Sequence, residues 1–200
     1  MVQKTSSAFP DRVALGTSVI FSPFIVPIVT AVIIIQKYAM TSQDVFLWLG
    51  IVTLFVTVLP ILGIALLVRF SKVGNLHLHA KEERLIPLCF VVLSLIFGTI
   101  ILYKVGATHK IILACLAYIA NSIVFSAITP LWKISFHTSV TTGCIMVLVF
   151  LVNTSFIWLF LLIPLIAWAR IYRERHTFLQ TAVGTILAII NTALVFHFLQ

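Results

Sequence analysis

Apolar and polar positions along this chain are grouped in long blocks, with short polar gaps between them. Apolar runs cover residues 13–36, 46–68, 85–103 and 111–130. A helix needs roughly 17–25 apolar residues to cross a bilayer, and each run is long enough for one crossing. The first four runs therefore predict four membrane-spanning helices.

A fifth apolar stretch, over residues 138–172, is too long for one crossing, and its one polar interruption is Asn153, Thr154 and Ser155. We expect two short helices with a tight turn at these residues, and a last span over residues 178–198. Pro60 and Pro164 fall inside spans, where proline kinks a helix locally. The pattern predicts an all-α, polytopic membrane bundle of about seven transmembrane helices.

Composition supports this fold class, because 62% of the residues are hydrophobic, 9% are charged and the mean hydropathy is +1.20. The three cysteines, Cys89, Cys115 and Cys144, lie inside apolar runs, which indicates packing rather than a disulfide framework or a metal site. No soluble linker interrupts the runs. We therefore expect one integral membrane domain over residues 1–200.

The basic residues are distributed unevenly between the two sides of the membrane. Seven spans place the amino terminus and residues 69–84, 131–137 and 170–176 on one side, called face A here, and ten of the 13 Lys and Arg residues lie there. Basic residues in short loops favour the cytoplasmic side, so face A is predicted to be cytoplasmic. This explains the net charge of +8 as membrane orientation, and we expect membrane lipids rather than nucleic acid as partners.

Three loops of face A each join a cationic group to the end of a span. Orientation requires only a count of charges and does not explain a fixed spacing between basic residues and histidines. The spacing therefore indicates chemistry at this face. The residues concerned are Lys81, Arg84, Lys133, Ser135, His137, Arg170, His176 and Gln180.

The order and spacing of these residues resemble the type 2 phosphatidic acid phosphatase superfamily. These metal-independent lipid phosphate phosphatases carry the motifs K-x6-R-P, P-S-G-H and S-R-x5-H-x3-D, and the resemblance covers roughly residues 81–184. Arg170 and His176 have the spacing of the third motif, with Ala169 in place of its serine and Gln180 in place of its aspartate.

The second motif is matched by Ser135 and His137, with Ile134 and Phe136 where proline and glycine are typical. The first motif is matched least. Two residues separate Arg84 from the following proline, and Lys81 stands three residues before Arg84, whereas the lysine of the motif stands seven residues before its arginine. The resemblance implies a phosphatase-like core in the last five spans, over residues 81–200, preceded by an N-terminal two-helix part over residues 1–70.

The resemblance also implies a role for each motif residue. His176 is the counterpart of the nucleophile that forms a phosphohistidine, and His137 is the counterpart of the proton donor to the leaving oxygen. Arg170 would bind two phosphoryl oxygens through its planar fork. Further phosphate contacts are implied for Arg84, Lys81, Lys133 and the Ser135 hydroxyl. These basic groups take the place of a metal, so neither a metal nor another cofactor is expected.

If the last span begins near Thr177, Gln180 stands one helical turn beyond His176 and its amide oxygen can accept a hydrogen bond from the imidazole. A neutral amide preserves the orientation of the ring but stabilises its positive charge less than a carboxylate does. Arg173 and Arg175 match no motif position, and we interpret them as headgroup anchors.

The function expected from these residues is metal-independent hydrolysis of a lipid phosphate or diphosphate at the membrane interface, with the lipid tail in the bilayer. Polyprenyl phosphates or diphosphates, phosphatidate and phosphatidylglycerol phosphate all remain open as substrates. The alternative is a catalytically inactive phospholipid-binding or transport protein, which the replaced aspartate would suit. A magnesium-dependent lipid enzyme is disfavoured, because the two aspartates, Asp11 and Asp44, lie on opposite faces.

Overall fold

The computed structural model describes residues 8–70 and 85–200, and every regular element within these two ranges is helical. The elements are, in chain order, α1 (Ala8–Ile20), α2 (Val26–Tyr38), α3 (Ser42–Thr53), a π-helical turn (Leu54–Val58), α4 (Leu59–Phe70), α5 (Leu85–Lys104), α6 (His109–Ile128), α7 (Phe136–Leu151), a 3-10 helix (Thr154–Leu161), α8 (Leu162–Tyr172) and α9 (Phe178–Leu199). The predicted all-α class is confirmed for the described ranges.

Five helical segments in the described ranges are long and apolar enough to cross a membrane, which indicates a multi-pass membrane protein. They are Ser42–Leu67, Ile86–Lys104, His109–Ile128, Thr154–Tyr172 and Phe178–Leu199. The helices α2 and α7 are apolar but shorter. The break predicted at Asn153–Ser155 is confirmed, since α7 ends at Leu151 and the Asn153 side chain accepts a hydrogen bond from the Ser155 N–H at the start of the 3-10 helix.

The prediction of one continuous helix over residues 13–36 is wrong, because α1 ends at Ile20 and α2 begins at Val26. Pro23 in the break has no N–H to donate, and the Ser22 hydroxyl accepts from the Phe24 N–H at 3.3 Å. The backbone carbonyls released by the break find partners on other helices. Thr57 Oγ1 donates to the Phe24 carbonyl at 3.0 Å, and the Tyr118 hydroxyl donates to the Pro23 carbonyl at 3.3 Å. The N-terminal part thus contains three helical rods, α1, α2 and the continuous α3–α4, rather than two.

The prolines inside spans change the helix type without breaking the rod. Pro60 cannot donate to the carbonyl four residues before it, and the turn that precedes it is π-helical, with the Leu59 N–H donating to the Leu54 carbonyl. Pro164 lies in the first turn of α8, directly after the 3-10 helix. Both irregular segments adjoin a residue that cannot continue the regular ladder of hydrogen bonds.

The centre of the bundle is α7, whose residues from Thr138 to Ile145 are all buried. It runs parallel to α9, because the Ser135 N–H donates to the Gln180 carbonyl at one end and the rings of Phe150 and Phe196 stack at the other. Gly184 permits this approach, since a β-carbon there would overlap Ser139 Oγ. The starts of α7 and α9 are therefore adjacent.

Candidate active site

The turn that ends α8 places Arg170 and His176 beside the same cavity. The Arg175 N–H donates to the Arg170 carbonyl at 3.0 Å and the Glu174 N–H donates to the Ile171 carbonyl at 2.9 Å, which is the hydrogen-bond pattern of a Schellman motif. Glu174 has φ 54°, the left-handed conformation that glycine usually adopts at this position. The chain reverses within this turn, and this reversal explains how a spacing of five residues brings the two side chains together.

His176 is oriented by the first turn of α9. Thr177 caps the helix, with its hydroxyl accepting from the Gln180 N–H at 3.3 Å, and Gln180 Oε1 accepts from the Thr177 N–H at 3.1 Å in return. The same Oε1 lies 3.2 Å from His176 Nδ1, which is the contact expected from the spacing. One amide oxygen therefore holds both the helix start and the imidazole.

This arrangement determines which ring nitrogen of His176 carries the proton. The backbone N–H of Thr177 can only donate, so the Gln180 atom facing it is the carbonyl oxygen rather than the amide nitrogen. His176 Nδ1 faces the same acceptor and must therefore be the protonated nitrogen. When Nδ1 is the one protonated nitrogen of the neutral ring, the lone pair lies on Nε2, the nitrogen suited to nucleophilic attack. The Lys133 backbone is a second hydrogen-bond acceptor for this ring.

His137 lies in the first turn of α7, and its Nε2 is 3.2 Å from the backbone carbonyl of Ser18 in α1. A carbonyl accepts hydrogen bonds, so Nε2 is protonated and Nδ1 is the position for any second proton. The α1 helix is packed along α8, where Asp11 hydrogen-bonds Tyr172. This positioning role of α1 was not predicted, because a backbone carbonyl has no signature in the sequence.

The two histidines line one end of a cavity of about 800 Å³ that extends into the helix bundle. The groups at this end are Lys133, His137, Arg170, Arg175 and His176. Arg170 is half-buried, and its Nε is buried without a hydrogen-bond partner among the described residues. An uncompensated guanidinium N–H is costly in a membrane bundle, and the site is therefore suited to an anionic group.

Electrostatics keep His176 neutral near pH 7. Its pKa is lowered to about 4, first by burial, which disfavours the charged ring, and then by the positive charges of Arg170 and Lys133. Hydrogen bonds to Gln180 and to the Lys133 backbone act in the opposite direction. At neutral pH the ring thus retains the lone pair that a nucleophile requires.

The predicted site residues are only partly brought together. Ser135 is the N-cap residue of α7 and is fully buried, and it does not line the cavity. Its hydroxyl has no hydrogen-bond partner among the described residues, and its backbone oxygen is the atom that lies near Gly184. Gln180 stands behind His176 rather than in the cavity. Lys81 and Arg84 lie outside the described residues.

Arg175 occupies a different place from the one expected for a headgroup anchor, since it lines the cavity beside His176. Arg173 does not line it, although its charge acts on His137. The sequence signal that could have identified Arg175 is its position at C″ of a helix ending, directly before a motif histidine.

The site combines an imidazole held at Nδ1 by Gln180, a second imidazole and three cationic side chains at the end of one cavity. Such a set can bind a phosphoryl group, attack phosphorus and protonate a leaving oxygen. Comparison of the chain with protein-family models, with curated proteins and with solved structures gives no match.

Proposed function

We propose that this protein hydrolyses a lipid phosphate or diphosphate without a metal, as a divergent relative of the type 2 phosphatidic acid phosphatases. The observation that carries the proposal is that His176, His137 and Arg170 line one end of one cavity, although His137 lies in the first turn of α7 and the other two lie at the turn between α8 and α9. Fixed charges and donors aimed at a phosphoryl group are the main catalytic requirement of such a reaction.

In the proposed reaction, Arg170, Arg175 and Lys133 bind the phosphoryl oxygens. His176 Nε2 attacks phosphorus, the P–N bond forms as the bond to the lipid oxygen breaks, and His137 gives that oxygen its Nδ1 proton. Water then attacks the phosphohistidine with His137 as the base, which releases inorganic phosphate and restores both rings. The negative charge of the bound phosphate favours the protonated form of His137 in the complex.

The same proposal includes seven crossings of the membrane. Five are the long spans, the sixth is the short α7, and the seventh is α1 and α2 together as one broken helix. Lys37 Nζ at the end of α2 donates to the Val152 carbonyl beyond the end of α7, so that α2 reaches the side opposite the site. The excess of basic residues on face A supports a cytoplasmic site.

The decisive experiment is release of inorganic phosphate by purified full-length protein from phosphatidate and from farnesyl phosphate, in the presence of a metal chelator. The wild type should release phosphate and yield a phosphohistidine that can be trapped. His176→Ala should release no phosphate and yield no phosphohistidine. Equal release by His176→Ala, or a strict requirement for Mg²⁺, would reject the mechanism. Arg12→Ala, in α1 and outside the cavity lining, is the matched control for loss of a basic side chain.

The second candidate is a phospholipid-binding or transport protein without catalysis. The break between α1 and α2 favours it, because discontinuous helices that line cavities mark binding sites in transporters, and Pro23 and Phe24 line this cavity. Against it, the Pro23 and Phe24 carbonyls already accept hydrogen bonds from Tyr118 and Thr57, which reduces their capacity to bind an ion. Tight binding of both lipids without phosphate release would favour this candidate.

A further inference from the structure

We propose that the cavity holds the hydrocarbon chain of the phosphorylated lipid, so that the chain enters the helix bundle and does not remain in the surrounding bilayer. This inference rests on the proposed function for the identity of the headgroup. It goes beyond that function by assigning a second binding region and a limit on chain length.

The first argument is the depth of the cavity. Its lining runs along α7 from His137 to Val147 and along α6 from Thr129 to Ile111. With a rise of 1.5 Å per helical residue, these stretches measure roughly 15 and 27 Å. A phosphate bound at the basic end would occupy only the first few ångströms of this length. The remainder of the cavity is available to another part of the same ligand.

The second argument is the chemistry of the wall. Beyond the basic end the lining is predominantly apolar, with side chains such as Phe55, Leu95 and Ile111. Three hydroxyls there are engaged by backbone carbonyls, since Thr99 Oγ1 donates to Leu95 at 2.8 Å, Thr129 Oγ1 to Phe125 at 2.7 Å and the Tyr118 hydroxyl to Pro23 at 3.3 Å. A predominantly apolar wall suits a hydrocarbon better than a polar ligand.

Asn121 is one of the polar residues that line the cavity at mid-depth. Asn121 donates through Nδ2 to the Ala117 carbonyl and to Thr192 Oγ1, while its Oδ1 is buried without a partner among the described residues. Asn121 is in contact range of Gly143, six residues beyond His137, or roughly 9 Å along α7. One buried acceptor does not change the apolar character of the remaining wall.

The third argument is continuity with the charged end. A lipid phosphate has an anion at one end and a chain at the other, and the cavity has cationic groups at one end and an apolar wall beyond them. An extended chain advances roughly 1.2 Å per bond, as the 3.3–3.6 Å per residue of an extended peptide implies. The depth therefore corresponds to roughly 12–22 bonds.

Filling the far part of the cavity should impose a chain-length limit. Ala114 in α6 lines the cavity and lies seven residues beyond Asn121 from the site, a further ~10 Å. The test compares octyl, hexadecyl and farnesyl phosphates and phosphatidate on wild type and Ala114→Phe. Ala127→Phe is the matched control, because Ala127 is exposed on the same helix and does not line the cavity.

We expect Ala114→Phe to raise the KM for hexadecyl phosphate, relative to that for octyl phosphate, by about tenfold or more. Each excluded methylene removes on the order of a fourfold gain in affinity. Ala127→Phe should keep the wild-type ratio. An unchanged ratio in Ala114→Phe, or an equal change in both variants, would overturn the proposal. If Ala114→Phe also raises the KM for farnesyl phosphate but not for phosphatidate, the natural chain is an isoprenoid. If it raises the KM for phosphatidate but not for farnesyl phosphate, the natural chain belongs to a glycerolipid.

Binding to His176→Ala separates this inference from the proposed reaction. The displacement of a fluorescent hexadecyl phosphonate by the same four lipids is measured with and without Ala114→Phe. Chain-length-dependent binding that Ala114→Phe removes, without turnover by the wild type, would support the chain site and reject the phosphatase. Turnover by the wild type without chain-length dependence would support the phosphatase and reject the chain site. Ala31→Phe, from α2 on the facing wall, serves as a second variant if Ala114→Phe does not fold.

Discussion

The two histidines of the site are held in opposite ways. His176 is fixed by residues four positions away or fewer, through the Gln180 oxygen and the capped start of α9. His137 is fixed by the Ser18 carbonyl, 119 residues away in the chain. One position is therefore determined by local sequence and the other by the packing of α1 on α8. The comparison teaches that a short motif can determine the placement of one histidine, whereas the placement of the other depends on the assembled bundle.

The largest expected effect separates the chemical roles of the two rings. His176→Ala should lower kcat by about 10³-fold or more for every substrate, because no nucleophile remains. His137→Ala should lower kcat/KM by roughly 10²–10⁴-fold for alkyl phosphates but far less for nitrophenyl phosphate, whose leaving oxygen needs no proton. This ratio reports the step that forms the phosphohistidine and not its hydrolysis, in which His137 is the base for every substrate. Equal losses of kcat/KM on both substrates in His137→Ala would contradict its role as the acid.

A smaller effect is expected from disturbing the long-range support of His137. Ser18 is buried, and Ser18→Leu should displace α1 and its carbonyl, lowering kcat/KM for alkyl phosphates by roughly 10–100-fold. Nitrophenyl phosphate should again be spared, as in His137→Ala. Val19→Leu, at the exposed neighbouring position, is the control. Loss of activity on both substrate types would indicate general unfolding instead.

The contact between Gln180 and His176 can be tested by placing a carboxylate at position 180. Burial and the charge of Arg170 lower the pKa of His176 to about 4, so kcat/KM should rise with pH through this value as the ring loses its proton. In Gln180→Glu the negative charge stabilises the protonated ring, and the acid limb should move up by about one pH unit or more. The pH profile of kcat/KM measures the shift. An unmoved acid limb would show that Gln180 does not act on the nucleophile.

The smallest effect concerns the contact that brings both histidines to one place. Gly184→Ala forces a β-carbon against Ser139 Oγ and should lower the free energy of unfolding by about 1–3 kcal/mol. Gly16→Ala is the control, because nothing lies within 4 Å of an added β-carbon there and alanine favours the helix. Thermal unfolding in detergent compares the two. A stabilised Gly184→Ala would contradict the close packing of α7 on α9.

The sequence predicted most of the rods because a bilayer imposes their length and apolarity. It also predicted the break at Asn153, where polar residues interrupt an overlong run. It did not predict the break at Pro23, although Pro60 lies in a similar apolar run and leaves its rod continuous. The difference lies in the neighbours, since Ser22 supplies a competing hydrogen bond and Thr57 and Tyr118 take up the released carbonyls.

In the candidate site, too, the residues placed by local sequence could be predicted and those placed by packing could not. Arg170, His176 and Gln180 lie close together because a helix ending and a helix start connect them within one turn. Ser135 was expected to reach phosphate, but the structure does not bring it to the cavity, since spacing alone does not distinguish a buried N-cap residue from an exposed one. The cavity behind the site has no motif, because five different helical segments each contribute part of its wall.

The single oxygen of Gln180 couples the order of the His176 imidazole to the local opening of a helix. When the first turn of α9 unwinds, the Thr177 and His176 contacts to that oxygen are lost in the same event. Exchange of the Thr177 amide hydrogen with solvent deuterium would then report the fraction of molecules with an ordered imidazole, in the absence of any substrate.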